Sequence, residues 1–474
     1  MKTYPIFVGG VFRETATDLP VRNPYSGEIV AATYLAGESE LEDAIRKAQE
    51  VSGELQALPG YSRYNILESI SSMISAERER FARVLAMESG KPLKYALAEI
   101  DRAIQVFHVA AEESRRLPRE YISLDWTPAG VGKEGLIKYF PLGLVAGIAP
   151  FNFPLNLAVH KIAPAMAAGN AIILKPARST PLSVLELAKL IHRSGWPAGG
   201  VSILPMDRKA GNQLVTDERI HMLSFTGSPE VGWAMKNQAG KKKVLLELGG
   251  NAGVVISRSA DLDTAVSKCV SGGFAYSGQV CIHVQRIFVH TYLFDSFLEK
   301  FVAGAGKLKY GDPLDPDTDI SVMIDEENAL RVEEWIREAE KGGAKVLRGG
   351  IRRGSFVEPT ILSGTLSDMK VCALEVFGPV VSVEPFDDFS EAIRMINDSR
   401  YGLQAGVFTR DLAEEQYAIE YTRTGAVIMN DVPTFRVDHM PYGGVKDSGF
   451  GREGLKYAIT EMMEPRLLVR SRLI

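Results

Sequence analysis

The chain has 474 residues, 46% of them hydrophobic and 24% charged, with a net charge of -5 at neutral pH. That length exceeds one ordinary core, so two or three domains are expected, and the composition excludes a disordered chain. The acidic balance, with an isoelectric point near 5.9, argues against nucleic acid, which would favour a basic face. No apolar run reaches the roughly 18 residues of a membrane span, and the N-terminus lacks the long apolar core of a secretory signal. Cys269, Cys281 and Cys372 are the three cysteines, and their spacings fit neither a disulfide framework nor a metal site. The expectation is a cytoplasmic α/β protein with no metal, no membrane and no nucleic-acid partner.

In chain order, residues 7–35 read as short strands around a turn at Asn23-Pro24-Tyr25-Ser26-Gly27. Helical spacing follows over 39–57, 62–89 and 93–116. Residues 120–141 lose that period and read as strands. Short apolar runs at 144–148, 171–174, 201–204 and 222–225 then alternate with helical segments, which predicts a mostly parallel sheet covered on both faces. A second alternating unit follows Gly250, with strands at 254–256 and 286–289 and helices over 261–276 and 292–306. A loop at 311–316 leads to a charged helix near 325–341. In sheets of this kind ligands sit at the carboxyl ends of the strands. A boundary near 248–251 would place a site in the cleft between two domains.

Several short motifs bear chemistry. Cys281, in Gly278-Gln279-Val280-Cys281, stands on a glycine-flanked turn and is a candidate nucleophile. Glu247, at the end of an apolar run and followed by Leu248-Gly249-Gly250, is a candidate base. Cys269 and Cys372 read as small buried thiols. Asn152, in Phe151-Asn152-Phe153-Pro154, either donates to a developing oxyanion or closes an Asx turn. Gly227-Ser228-Pro229 follows a strand and opens a helix, a seat for phosphate or a simple cap at Ser228. Its glycines do not have the dinucleotide spacing, and Trp233 stands where a P-loop needs lysine. Lys175 ends a strand, where it reaches a ribose or phosphate or is simply solvated. Glu375, in Glu375-Val376-Phe377-Gly378-Pro379, lies beside an apolar turn. His283 is set aside as a partner for Cys281.

Taken together and in this order, these motifs, with Lys175-Pro176-Ala177, Phe225-Thr226-Gly227-Ser228 and Pro441-Tyr442-Gly443-Gly444-Val445-Lys446, resemble the aldehyde dehydrogenase superfamily over essentially the whole chain. The resemblance implies an α/β fold in three parts. These are a Rossmann-like cofactor domain (1–120 and 141–248), an α/β catalytic domain (249–454) and a small β oligomerisation arm (121–140 and 455–474) that pairs subunits into a homodimer or homotetramer. It also implies that Cys281 attacks a small-molecule aldehyde while Asn152 stabilises the oxyanion. Hydride would then pass to NAD or NADP, and Glu247 would hydrolyse the thioester with Glu453 relaying its proton. Lys175 and Glu375 would grip the riboses, Ser228 the pyrophosphate, and Phe377 the nicotinamide ribose, with Phe151 and Gly227 completing the cofactor site.

Two departures refine this expectation. Arg178 stands where relatives that prefer NAD often carry a glutamate, and a guanidinium there attracts a 2′-phosphate, which favours NADP. Val280 stands where relatives acting on phosphorylated aldehydes can carry arginine, which weakens a glyceraldehyde-3-phosphate reading. Arg102, His160 and Arg436 are candidates to meet an anionic tail. The segment 430–439 resembles the lactaldehyde and small hydroxyaldehyde or semialdehyde branch. Glu247 argues against a coenzyme A-acylating relative, and Cys281, Glu247 and Asn152 together argue against a catalytically silent scaffold.

Overall fold

A computed structural model describes residues 2–471. Five parallel strands centre an eight-stranded sheet, in the order Val201–Ile203, Ala171–Lys175, Leu144–Ile148, Met222–Thr226 and Lys243–Glu247. Every residue of Leu144–Ile148 and Met222–Thr226 is buried, the reason these strands are mostly apolar on both faces. The hairpin Ile6–Val8 and Val11–Arg13 adds antiparallel to one edge and Gly449–Phe450 to the other. Gly449–Phe450 thus rejoins the first sheet from within the span 249–454. Strand order reverses between Leu144–Ile148 and Met222–Thr226, which opens a crevice beyond their carboxyl ends.

The helices Glu38–Ala57, Gly60–Ala76, Arg78–Ser89 and Leu93–Ser114 pack around this sheet. The single helix expected over 62–89 is two, because the chain leaves helical geometry at Glu77 (φ -110°, ψ 17°). Both pieces pack on Leu93–Ser114 and both reach Leu182–Arg193. Two buried glutamates anchor the helices that follow. Glu99 accepts from the N–H groups of Leu155 and Asn156 at 3.1 Å each, at the start of Pro154–Ala168. Glu88 accepts from those of Leu182 (2.6 Å) and Ser183 (3.0 Å). A carboxylate there satisfies orphan donors and complements the helix dipole.

A second sheet of seven strands runs Lys345–Arg348, Thr360–Ser363, Val380–Phe386, Val284–His290, Ala252–Ile256, Gln404–Phe408 and Ala426–Met429. All but the Lys345–Arg348 edge run parallel. The helix expected over 261–276 ends at Phe274. Beyond it Tyr276 (φ 49°) and Ser277 (φ 53°) turn left-handed. The Ser277 hydroxyl holds that turn by donating to the Ser321 carbonyl at 2.8 Å.

Arg119–Ser123, Lys133–Pro141 and Met463–Ser471 form a separate three-stranded antiparallel sheet. Its last strand is exposed beyond Met463. Residues 472–474 of the expected arm lie outside the described residues. Among the described residues no helix is long and apolar enough to cross a membrane.

The turn that carries Cys281 demands glycine at 278. Gly278 has a φ of 68°, and a Cβ there would stand 2.1 Å from the Gly378 carbonyl oxygen. Gly278→Ala is expected to cost about 1–3 kcal/mol from backbone conformation alone, with more from the clash. Urea denaturation monitored by circular dichroism measures the loss.

Candidate active site

The two sheets meet end to end. The first contributes its carboxyl ends: Phe151 and Asn152 follow Leu144–Ile148, Gly227 and Ser228 follow Met222–Thr226, and Glu247 closes its own strand. The second contributes its amino ends: Cys281 precedes Val284–His290, and Glu375 and Phe377 precede Val380–Phe386. All of these residues line one cavity of about 290 Å³. A second cavity of about 230 Å³ is lined by Arg102, Phe153, Asn156, Thr434, Arg436 and Tyr442 among others. Cys281 is in the wall of both.

Asn152 donates from Nδ2 to the Gln279 carbonyl at 3.0 Å, so its amide is aimed at the cysteine turn. Behind that turn Gly250 leaves room for the Cys281 carbonyl, which would lie 2.3 Å from a Cβ. Burial pushes the Cys281 thiol up to about 11, a rise that the Tyr442 hydrogen bond and the Arg436 charge limit while Glu375 and Glu247 add to it. Neither carboxylate oxygen of Glu247 has a hydrogen-bond partner among the described residues, and the side chain is buried. Burial first, and the Glu453 charge second, hold its acid well above the usual carboxylate range. His283 faces away, with Nε2 2.8 Å from the Gly273 carbonyl.

Around Glu247 lies a buried charge network. Glu453 pairs with Lys161 at 3.2 Å and with Arg436 at 3.1 Å, and Lys161 also donates to the Thr226 hydroxyl at 2.7 Å. Burial alone would raise the Glu453 acid, but the charge of Lys161, with those of His160 and Arg436, holds it well below its usual range. Arg102 grips Asp438 through two hydrogen bonds, of 2.6 and 3.2 Å. His160 is buried, with Nε2 2.8 Å from the same carboxylate. Of the three residues expected at an anionic tail, Arg102 and Arg436 reach the second cavity, whereas His160 stands behind its wall, tied to Asp438.

The sequence reading singled out neither Lys161, Asp438 nor Asn156, and it quoted Tyr442 within a motif without a role. Asn156 follows Asn152 by four residues, inside the helix that Asn152 precedes, and neither of its amide atoms has a partner among the described residues. That spacing was its only signal. Asp438 carries no motif of its own, and only the fold brings it to Arg102.

In the first cavity, Glu375 accepts from the Gly250 N–H at 2.9 Å, and burial raises its acid to about 8. Phe377 is left-handed (φ 46°), and its ring meets that of Phe151 edge-on at 5.9 Å. Burial, then the exposed Arg178 close by, disfavours the charge on Lys175, against which Asp207 acts. Ser228 occupies the N-cap position of Pro229–Gln238, yet its side chain makes no cap hydrogen bond, which leaves the hydroxyl and the helix N-terminus free for a ligand. No group of three or more metal-ligating side chains occurs among the described residues.

The sequence pattern of the aldehyde dehydrogenase family matches residues 12–468. The chain is 41% identical over 470 residues to 3-sulfolactaldehyde dehydrogenase from Priestia aryabhattai, covering 99% of this chain and 98% of that protein. The fold is similar to the crystal structure of aldehyde dehydrogenase 21 from Physcomitrella patens in complex with the reaction product succinate. That match has a TM-score of 0.98 and 43% identity, and it covers 99% of this chain and 98% of the other. It is also similar to glyceraldehyde-3-phosphate dehydrogenase from Methanocaldococcus jannaschii complexed with NADP (TM-score 0.93, 38% identity, 98% and 100% covered).

Asp438 is the carboxylate that neutralises the Arg102 corner of the site. Removing one partner of such a buried pair strands the other, so Asp438→Ala is expected to cost about 3 kcal/mol of stability at neutral pH. Burial would raise the Asp438 acid, but His160 and Arg102 hold it below its usual range. Its contribution is therefore present above the unfolded-state value of about 3.9 and fades as pH falls below it. Urea titrations of both proteins at several pH values test this. The gap between them should close in acid.

Proposed function

The chain belongs to the aldehyde dehydrogenase family, and we propose that it oxidises a small, polar, anionic aldehyde to the carboxylic acid through a covalent adduct on Cys281. The observation that carries this reading is the position of Cys281 in the wall shared by two cavities, with Asn152 and a buried, unpartnered Glu247 on one side. One cavity suits the cofactor and the other the aldehyde.

The residues divide the work. Cys281 Sγ bonds to the aldehyde carbon, and the carbonyl electron pair moves to oxygen, where Asn152 and the Cys281 backbone N–H stabilise it. Bound nicotinamide supplies the hydride acceptor. Glu247 then takes a proton from water, the water oxygen attacks the thioester carbon, and the C–S bond breaks to return Cys281 as thiolate. Glu453, held ionised by Lys161 and Arg436, raises the proton affinity of Glu247 and so strengthens it as a base, while its own carboxyl, kept well below the usual range, is a poor acceptor for the relay expected of it.

The residues present fit a nicotinamide dinucleotide. The unused Ser228 hydroxyl and helix N-terminus suit the pyrophosphate, and Lys175 and Glu375 the two riboses. Phe151, Gly227 and Phe377 would flank the nicotinamide end. The exposed Arg178 suits a 2′-phosphate, which favours NADP.

Of the compounds named for the relatives, 3-sulfolactaldehyde, succinate and glyceraldehyde-3-phosphate carry an anionic group, whereas lactaldehyde is polar and uncharged. Here Arg102 and the unpartnered Nε of Arg436 would meet such a group, with the Asn156 amide beside them. The exposed Leu467, Leu468 and Val469 of the three-stranded sheet support a homodimer or homotetramer built on that arm. Three free thiols suit the reducing cytoplasm.

The test is the rise in absorbance at 340 nm with lactaldehyde, glyceraldehyde-3-phosphate, succinate semialdehyde and propanal, each with NAD and with NADP. Coenzyme A is left out. Anionic aldehydes should exceed propanal in kcat/KM by about tenfold or more, the value of one charge-assisted hydrogen bond. Cys281→Ser should abolish turnover, and Glu247→Gln should leave a single burst of reduced cofactor followed by a rate roughly 10²-fold lower or more.

The thiol at about 11 and the raised Glu247 acid must both lose a proton to act. The rate should therefore climb from neutral into alkaline pH, and a pH profile that falls over that range contradicts the assignment.

A further inference from the structure

Tyr442 has no part in the steps above, yet its side chain touches the sulfur. Its hydroxyl lies 3.2 Å from Cys281 Sγ. Three further contacts fix the tyrosine in place. Its backbone exchanges both hydrogen bonds with Glu453: the Tyr442 N–H donates at 3.0 Å and the Glu453 N–H donates back at 2.6 Å. The Arg436 guanidinium lies 3.6 Å from the ring centroid. The ring packs in a small apolar cluster with Ile282 and Leu403. At 3% exposure, the phenol has almost no access to water.

We propose that the Tyr442 hydroxyl donates a hydrogen bond to the Cys281 thiolate, favouring that form and holding the sulfur towards the aldehyde. The inference rests on Cys281 as the nucleophile. The titratable groups facing the sulfur are Glu247 and Glu375, which disfavour a thiolate once they ionise, and the charged group is Arg436, which favours one. Tyr442 is the hydrogen-bond partner the structure gives the sulfur itself. A hydrogen bond to an anion is about twice as strong as one between neutral groups. Arg436 over the ring draws charge from the phenol and makes it a better donor.

The experiment follows alkylation of Cys281 by iodoacetamide from neutral to alkaline pH, with peptide mass mapping to separate it from Cys269 and Cys372. In Tyr442→Phe the midpoint should rise by about one pH unit, the value of one charge-assisted hydrogen bond. Replacing Tyr442 with 4-aminophenylalanine, of nearly the same shape but a weaker donor that keeps its hydrogens over this pH range, should raise the midpoint by less than the full unit. This second variant keeps the test decisive if Tyr442→Phe folds poorly. An unchanged midpoint in the folded variants overturns the proposal. Failure of the nucleophile assignment shows separately, as turnover that survives in Cys281→Ser, whichever way the alkylation midpoint moves.

Discussion

The site is built on one charge, the carboxylate of Glu453. It lies where no water reaches and is held by Lys161 from one side and Arg436 from the other. Burying an ion is tolerable only when partners and hydrogen bonds satisfy it on the spot. Each of those partners belongs to a different part of the chain. Lys161 comes from the helix beneath the first sheet and also reaches Thr226 at the end of a strand. Arg436 comes from the loop that walls the second cavity. The carboxylate that neutralises these cations therefore also ties together the elements that shape the pocket.

Its influence extends to both Glu247 and Cys281. Through space it helps keep Glu247 protonated. Through its backbone it seats Tyr442 against Cys281. In the free protein both Cys281 and Glu247, the proposed nucleophile and base, thus favour their neutral forms. A neutral thiol is a weak nucleophile, and a neutral acid cannot activate water. Anything that excludes further water or adds positive charge changes that balance, so the reactivity of the site is tied to what fills the two cavities.

The scaffold supplies rigidity by the same device. Glu99 and Glu88 leave the outer helices to cap Pro154–Ala168 and Leu182–Arg193 from inside. Lys91, itself fully buried, pairs with Glu99 and lies over the rings of Phe153 and Tyr276. Phe153 follows Asn152, and Tyr276 opens the turn to Cys281. One buried lysine thus braces both sides of the reaction centre.

Much of this was legible in the sequence. The fold class could be read because parallel strands buried on both faces are near-continuous apolar runs, as at Leu144–Ile148 and over 171–174. Cys281, Glu247 and Asn152 could be found because glycines and prolines mark the turns that carry them, and the motif order matched an aldehyde dehydrogenase. The break at Glu77 could not, since no glycine or proline stands there to mark it. The carboxyl-end rule located half of the site. The other half stands at the amino ends of a second sheet, and only the docking of one sheet on the other places Cys281, Glu375 and Phe377 there. His160 read as a ligand for an anionic tail, but Asp438, 278 residues away, holds it behind the cavity wall. Residue type and local spacing thus determined which groups carry chemistry and which segments form the sheets. Long-range packing decided which charges face one another, because a buried ion takes its partner from whatever the fold brings near and not from its neighbours along the chain.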